Sequence, residues 1–277
     1  MTISSHKIFF IFLILMGNLC SQNQKEWFPD NLNIQPFTAN VIEPKAGFEI
    51  FLGKSELRLN AGTSRDFYKI SDDNSAISFG ADFFTYSLLR SERDFHFPVD
   101  AIDYLFGLNA GYKIHCQDTE YGFRFRLSHI SAHFVDGHFD YAIKSWRNGR
   151  SPQVYSREFI ELFPFYKIDN LRLYAGFTII FNITPEELGK ELYQAGFDYY
   201  LTNYLDGLMN PFIAYDFKLS KVGKFSGNNS VVVGVKFGQH DSKGFSIRFS
   251  YLSGKSIHGE YYDINESYSS VGFNLEL

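Results

Sequence analysis

Residues 271–277 read V-G-F-N-L-E-L. Val271, Phe273, Leu275 and Leu277 take every second place, with Gly272, Asn274 and Glu276 between them. A strand turns successive side chains to opposite faces, so this segment has one oily side and one polar side. Working back along the chain, Phe245, Ile247, Phe249 and Tyr251 alternate with Ser246, Arg248 and Ser250. Val231, Val233, Val235 and Phe237 enclose Gly234 and Lys236, and Ile213, Tyr215, Phe217 and Leu219 enclose Ala214, Asp216 and Lys218. The stretches 193–201, 171–181, 104–114 and 77–83 repeat the pattern. Composition agrees with it. The 277 residues include 31 Phe and 18 Tyr, yet mean hydropathy is only −0.17. Apolar and polar residues are finely interleaved, which makes the chain all-β.

A soluble sandwich would turn the oily faces inward. Three features argue for the inverted arrangement. The segments are roughly ten residues long, as a tilted membrane strand requires. The alternate face carries charges of both signs in nearly every segment. The final strand, apolar at its last, third-last and fifth-last places, resembles the C-terminal signal of bacterial outer-membrane barrels. A sheet in lipid must close, because an open edge leaves backbone groups unpaired. The expectation is a closed antiparallel transmembrane β-barrel of about 12 strands in the bacterial outer membrane. With Leu277 at the periplasmic side, counting back makes 116–118 and 168–170 tight periplasmic turns, and the long link from Phe134 to about Gln153 falls outside the cell. The lumen is then lined by Arg124, Arg126, Arg172, Asp198, Asp216, Lys236 and Arg248, with Asp82, Asp103 and Lys218. In so narrow a barrel these charges are expected to pair and fill the interior as a polar core, not to line a wide pore.

Ahead of the barrel, residues 1–21 read as a secretory signal: Lys7 is followed by an apolar run from Ile8 to Met16 that is too short for a mature anchor. The cut is expected near Cys20 to Gln22. Cys116 then remains, and no disulfide framework is expected. Residues 22–45 carry Pro29, Pro36 and Pro44 with little alternation, and read as an N-terminal periplasmic arm packed irregularly on the barrel, residues 46–277. Lys54 to Tyr68 is poorly patterned, so the place of the first strands stays open. A net charge of −5 points to no nucleic-acid partner. The expected partners are membrane lipids and the outer-membrane insertion machinery; the oligomeric state is not legible.

One strand breaks the oily pattern. From Tyr121, the odd positions Phe123, Phe125 and Leu127 continue as His129, Ser131 and His133. Polar groups thus follow apolar ones on the outer face, near the extracellular end. Arg124, Arg126 and Ser128 point inward. A Ser and a His two apart on one face have Cα atoms roughly 7 Å apart, close enough for a base to activate a nucleophile. A third group should orient the imidazole. Glu158 shares the outward parity on the next strand and is the candidate; Asp136, at the loop edge, is the alternative. The bland reading is polar residues at a membrane interface, and His-x-Ser recurs at His240 and Ser242. The two function classes are therefore a structural or surface-binding barrel and a serine-type lipid acyl hydrolase at the outer leaflet. No metal is expected: His129 and His133 are roughly 13 Å apart on an extended strand, too far to share an ion. No cofactor is expected, and no segment has the ligand spacing of a dedicated calcium loop.

The pair His129 and Ser131, with Glu158 from the next strand, resembles the outer-membrane phospholipase A and lipid A deacylase families, which are serine acyl hydrolases working beside the barrel. Those families usually follow the serine with Asn, and this chain has Ala132. The resemblance implies Ser131 as nucleophile, His129 as base and Glu158 as orienter, with calcium as an oxyanion stabiliser. A broader resemblance rests on WFPDNLNIQPFTANVIEPKAGFEI, residues 27–50, and RFRLSHISAHFVDG, residues 124–137. Both are similar to a bacterial family known as domain of unknown function 1207, marked by an FP…P…A…EP opening and a segment H-x-S-S-H-L-G-D. Here that segment includes His129, Ser131, His133 and Asp136. This resemblance implies a cell-surface barrel and no specific activity.

Overall fold

A computed structural model describes residues 23–202, 204, 206–238 and 240–276. The stretch expected to be a signal, residues 1–21 with Cys20, and Leu277 lie outside the described residues. The strands in chain order are β1 (Gln24–Trp27), β2 (Ala46–Phe51), β3 (Glu56–Ser71), β4 (Ser75–Arg90), β5 (Val99–Cys116), β6 (Thr119–Phe134), β7 (Phe139–Asp140), β8 (Ser145–Trp146), β9 (Tyr155–Ile168), β10 (Leu171–Thr184), β11 (Leu188–Tyr200), β12 (Met209–Val222), β13 (Lys224–Phe237), β14 (Gly244–Lys255) and β15 (Asn265–Glu276). Strands β2–β6 and β9–β15 form a closed, all-antiparallel barrel of twelve. Closure comes where β15 meets β2, with Phe273 opposite Phe48 and Val271 opposite Ile50. β1 adds only to the far end of β3, and β7 and β8 make a small hairpin in the long link between β6 and β9.

The alternation sets which side chains face where. Phe125, Leu127, Phe177, Val233, Ile247, Phe249 and Val271 are exposed on the outer wall, while Arg126, Glu161, Asp216, Lys236 and Arg248 are buried inside. The poorly patterned stretch also joins the wall, as β3 paired to β4 along its length. Its outer face carries Ala61, Thr63 and Arg65 in place of large apolar residues, which blurs the period. One end of the barrel has tight turns, at 117–118 and 169–170; the other carries the long segments 135–154 and 256–264.

The arm does more than rest on the body. Residues 33–43 thread into the lumen. Phe37 stacks on Tyr174 at 3.7 Å between centroids, and the guanidinium groups of Arg124 and Arg172 lie over its ring at 4.5 and 5.0 Å. Arg124 donates to both carboxylate oxygens of Glu43 at 2.9 and 2.6 Å, and Arg126 reaches Glu43 at 2.8 Å. Arg172 donates to the carbonyls of Gln35 and Pro36 and to Asp198. Buried cations are tolerated only when paired, and the arm supplies acceptors that the wall lacks.

The lumen is not a polar core throughout, and here the expectation is corrected. Toward the tight turns it is largely ionic, but toward the long loops an apolar cluster lies among the charged groups. There Phe84, Leu105, Ile130, Ala132, Phe159 and Ile180 are buried together. The segment 256–264 folds down onto them: His258 Nδ1 lies 2.7 Å from Asp103, and the Gly259 backbone N–H donates to the same carboxylate at 2.7 Å. A Cβ on Gly259 would stand 2.3 Å from the Tyr155 ring and 2.7 Å from Ala132, so the loop enters only because that residue has no side chain. On β6 the polarity inverts along the strand. Ile130 and Ala132 are oily inside, and His129 and Ser131 are polar outside.

Candidate active site

The inversion on β6 builds the site. Closing the hairpin-like pair β6–β9 sets His129 opposite Glu158 and Ser131 opposite Ser156. On the other side, β5 sets Phe106 opposite His129 and Tyr104 opposite Ser131. His129 Nδ1 and Glu158 Oε1 are 2.6 Å apart, with each side chain 27% exposed. Ser156 Oγ donates to the same Glu158 oxygen at 3.2 Å. The Phe106 ring packs 4.9 Å from the imidazole. The imidazole is thus held on three sides: an acid ahead, an aromatic ring behind, and the β6 backbone beneath.

With Nδ1 donating to the carboxylate, Nε2 carries the lone pair. That is the tautomer a general base needs. Ser131 shares the face two residues on and is half-buried; its hydroxyl makes no hydrogen bond among the described residues. The second Glu158 oxygen is buried and unpartnered. Catalytic hydrogen bonds are commonly long or misaligned before substrate arrives, so the missing Ser131–His129 hydrogen bond does not by itself remove Ser131 as a candidate.

The other candidate residues fall elsewhere. Asp136 is exposed at the start of the long loop, and its carboxylate accepts from the Gly137 backbone at 2.9 Å, away from the imidazole. His133 is exposed, against Tyr104 at 6.3 Å between centroids. His138 is fully buried, stacked on Phe134 at 3.6 Å, with its ring nitrogens on Asp100 and the Arg150 carbonyl. Arg124, Arg126, Asp198, Asp216, Lys236 and Arg248 are buried in the lumen, and Arg172 nearly so. Each is engaged: Arg124 and Arg126 by Glu43 of the arm, Arg172 by Asp198 and arm carbonyls, Asp216 by Lys218, Lys236 by Glu276 and Arg248 by Glu49. The carbonyls of His240 and Ser242 accept from Lys236, so the second His-x-Ser acts through its backbone. Ser156 was missed in the sequence, although the parity that selects Glu158 selects it too, two residues earlier. Among the described residues, no group of three or more His, Cys, Asp or Glu side chains is placed to hold a metal ion.

Among solved structures, the chain is similar to outer membrane phospholipase A from Escherichia coli, at a TM-score of 0.53 and 14% identity, over 90% of this chain and 96% of that one. At that identity the likeness concerns the fold. No curated protein matches the sequence. The model of one family does match, over residues 103–276, most of the barrel and the whole of β6 and β9. The chain therefore belongs to the family described as Protein of unknown function (DUF1207).

Proposed function

We propose that this chain is an integral outer-membrane barrel and a serine-type lipid acyl hydrolase, with Ser131 as nucleophile, His129 as general base and Glu158 as orienting acid. The observation that carries the reading is the 2.6 Å contact between Glu158 Oε1 and His129 Nδ1 on the outer wall. A carboxylate and an imidazole facing an apolar surround are costly without a purpose, since polar groups on such a wall lose water. The similar barrel is described as a phospholipase A, which makes an ester of a membrane lipid the natural substrate class. In the proposed step, Ser131 Oγ attacks the acyl carbonyl as His129 Nε2 takes its proton. The imidazolium, steadied by Glu158, returns the proton to the departing alcohol, and water then releases the fatty acid from the serine. The filled lumen supports a site on the wall over a channel through it.

The free hydroxyl of Ser131 favours a second reading, in which the barrel is structural or binds something outside the cell and the polar trio is interfacial decoration. The discriminating measurement is fatty-acid release from phospholipid mixed micelles by the purified chain. Wild type should release fatty acid, and Ser131→Ala, folded by heat-modifiable gel mobility, should release none. Equal release by both, or none by either across phospholipids and lipid A, favours the structural barrel.

A further inference from the structure

The lumen holds a feature that the wall site does not use. Between the tip of the arm and the folded-in loop is a cavity of about 110 Å³. Ile42, Ile130, Phe159, Ile180, Leu188 and Ile257 line its apolar part, and Glu161, Glu191, Asp216, Lys218 and Lys221 also border it. Into this oily space faces Arg157 of β9, which lies opposite Ile130 and Ile183 in the ladder. The other lumen arginines are paired: Arg58 and Arg248 hold Glu49, Arg124 holds Glu43, Arg126 holds Glu43 and Glu161, and Arg172 holds Asp198. Arg157 has no carboxylate within ion-pair distance among the described residues. Its guanidinium sits 5.3 Å from the Tyr155 ring, and its Nε is buried without a hydrogen-bond partner. The acids around the chamber are already engaged, Glu191 by the Tyr193 hydroxyl. Glu161 holds Arg126 and Thr178, Asp216 holds Tyr174, Gln194 and Lys218, and Asp103 holds His258 and the Gly259 N–H.

Arg157 is half-buried, and a cation held without an anion beside an apolar space is costly to keep there. The ligand that would satisfy it has one negative charge, a flat pair of acceptor oxygens and a short oily tail. Guanidinium groups fit carboxylates by two parallel hydrogen bonds. An apolar cavity of about 150 Å³ accommodates benzene, so this one, at about 110 Å³, holds roughly four to five carbons. We propose that the chamber binds a short-chain aliphatic carboxylate, its oxygens on Arg157 and its chain among Ile42, Ile130, Phe159 and Ile180. Ile257 and Tyr262 close the chamber from the long-loop end, and the Tyr262 hydroxyl tethers that loop by donating to Glu187 at 2.6 Å.

Butyrate, hexanoate and hexanol serve as probes, titrated by calorimetry and by ligand-observed NMR against the full chain in phosphatidylcholine nanodiscs. Hexanoate is expected to bind saturably, one per barrel, at least tenfold tighter than hexanol. Arg157→Met should weaken hexanoate at least tenfold and leave hexanol unchanged, and Arg157→Lys should recover part of the loss. Ile180→Trp, which fills the chamber, should abolish binding in a barrel that still shows heat-modifiable mobility. Ser131→Ala should bind hexanoate as wild type does, since the chamber and the wall site lie on opposite faces of β6 and β9. Hexanol binding as tightly as hexanoate in wild type overturns the proposal without any variant. So does hexanoate affinity unchanged by Arg157→Met, or uptake that never saturates.

Discussion

In the proposed hydrolase, Glu158 fixes His129 in one tautomer and one orientation, and its charge steadies the imidazolium that forms when Ser131 loses its proton. Glu158→Gln keeps the shape and removes the charge. In the proposed hydrolase, turnover should fall on the order of 10²-fold or more while KM stays nearly level, as judged from initial rates of fatty-acid release. A merely interfacial glutamate would leave both constants alone. Inside the barrel the single-residue stakes concern stability. Glu43 is fully enclosed and neutralises Arg124 and Arg126 together. Glu43→Gln should cost about 3–5 kcal/mol, read as a lowered urea midpoint in lipid vesicles, because it strands buried cations. Legibility differs between the two sites for a physical reason. His129, Ser131 and Glu158 could be placed from parity and register, which depend only on counting along two neighbouring strands. The partner of Arg124 and Arg126 could not, because Glu43 reaches them from an arm with no period, and nothing local links residue 43 to residue 124.

Among the elements, the strands were readable wherever one face is oily and the other ionic, as in β12 to β15. They were obscure where the outer face is polar, as in β3, or where the lumen side is itself apolar, as in the upper half of β6. The arm and the loop 256–264 were unreadable as plugs, since each is shaped by the cavity it fills. Both yield tests. Deleting residues 28–44 removes Phe37 and Glu43 and should turn a silent barrel into one that conducts ions in planar bilayers, at some loss of thermal stability. At the other end, Arg150 donates to both oxygens of Asp263 at 2.9 and 2.8 Å, joining loop 135–154 to loop 256–264. The Arg150 hydrogen bonds hold the Asp263 carboxyl below its usual 3.8, and the Tyr262 hydroxyl holds Glu187 below its usual 4.5. Carboxylates depressed in the docked state stabilise it above their free values and lose that contribution as pH falls through the depressed ones. Burial pushes Glu260 the other way, above 4.5, so its protonation favours docking first. Trp146 fluorescence, measured in a Trp27→Phe background, should therefore show the loops slightly tighter as pH falls toward 4.5 and released below about 3.8. A signal flat across that window would mean that the clamp does not hold the loops.

At the scale of the whole molecule, the placement of oily side chains outside and ionic ones within is what makes a membrane the right solvent. The outer wall exposes Phe83, Phe106, Leu127, Phe177, Val233 and Phe249 around the closed sheet. In water such a belt would drive association, whereas in lipid it is solvated. Val233 tests this, because it sits within the outward apolar run Val231, Val233, Val235 and Phe237 of β13, between Ile213 and Phe249 in the ladder. Val233→Arg should cost about 2–4 kcal/mol when the chain is unfolded from phosphatidylcholine vesicles, since the new charge lies at the depth where lipid is driest. Thr63→Arg, on the polar outer face of β3, should cost little, because a neighbouring outward position already carries Arg65. The contrast is the informative quantity. A soluble barrel with a wet outer wall would tolerate an arginine at either position. Near-equal, small costs at both positions would therefore remove the membrane from the account, and with it the lipid substrate proposed for the His129 site.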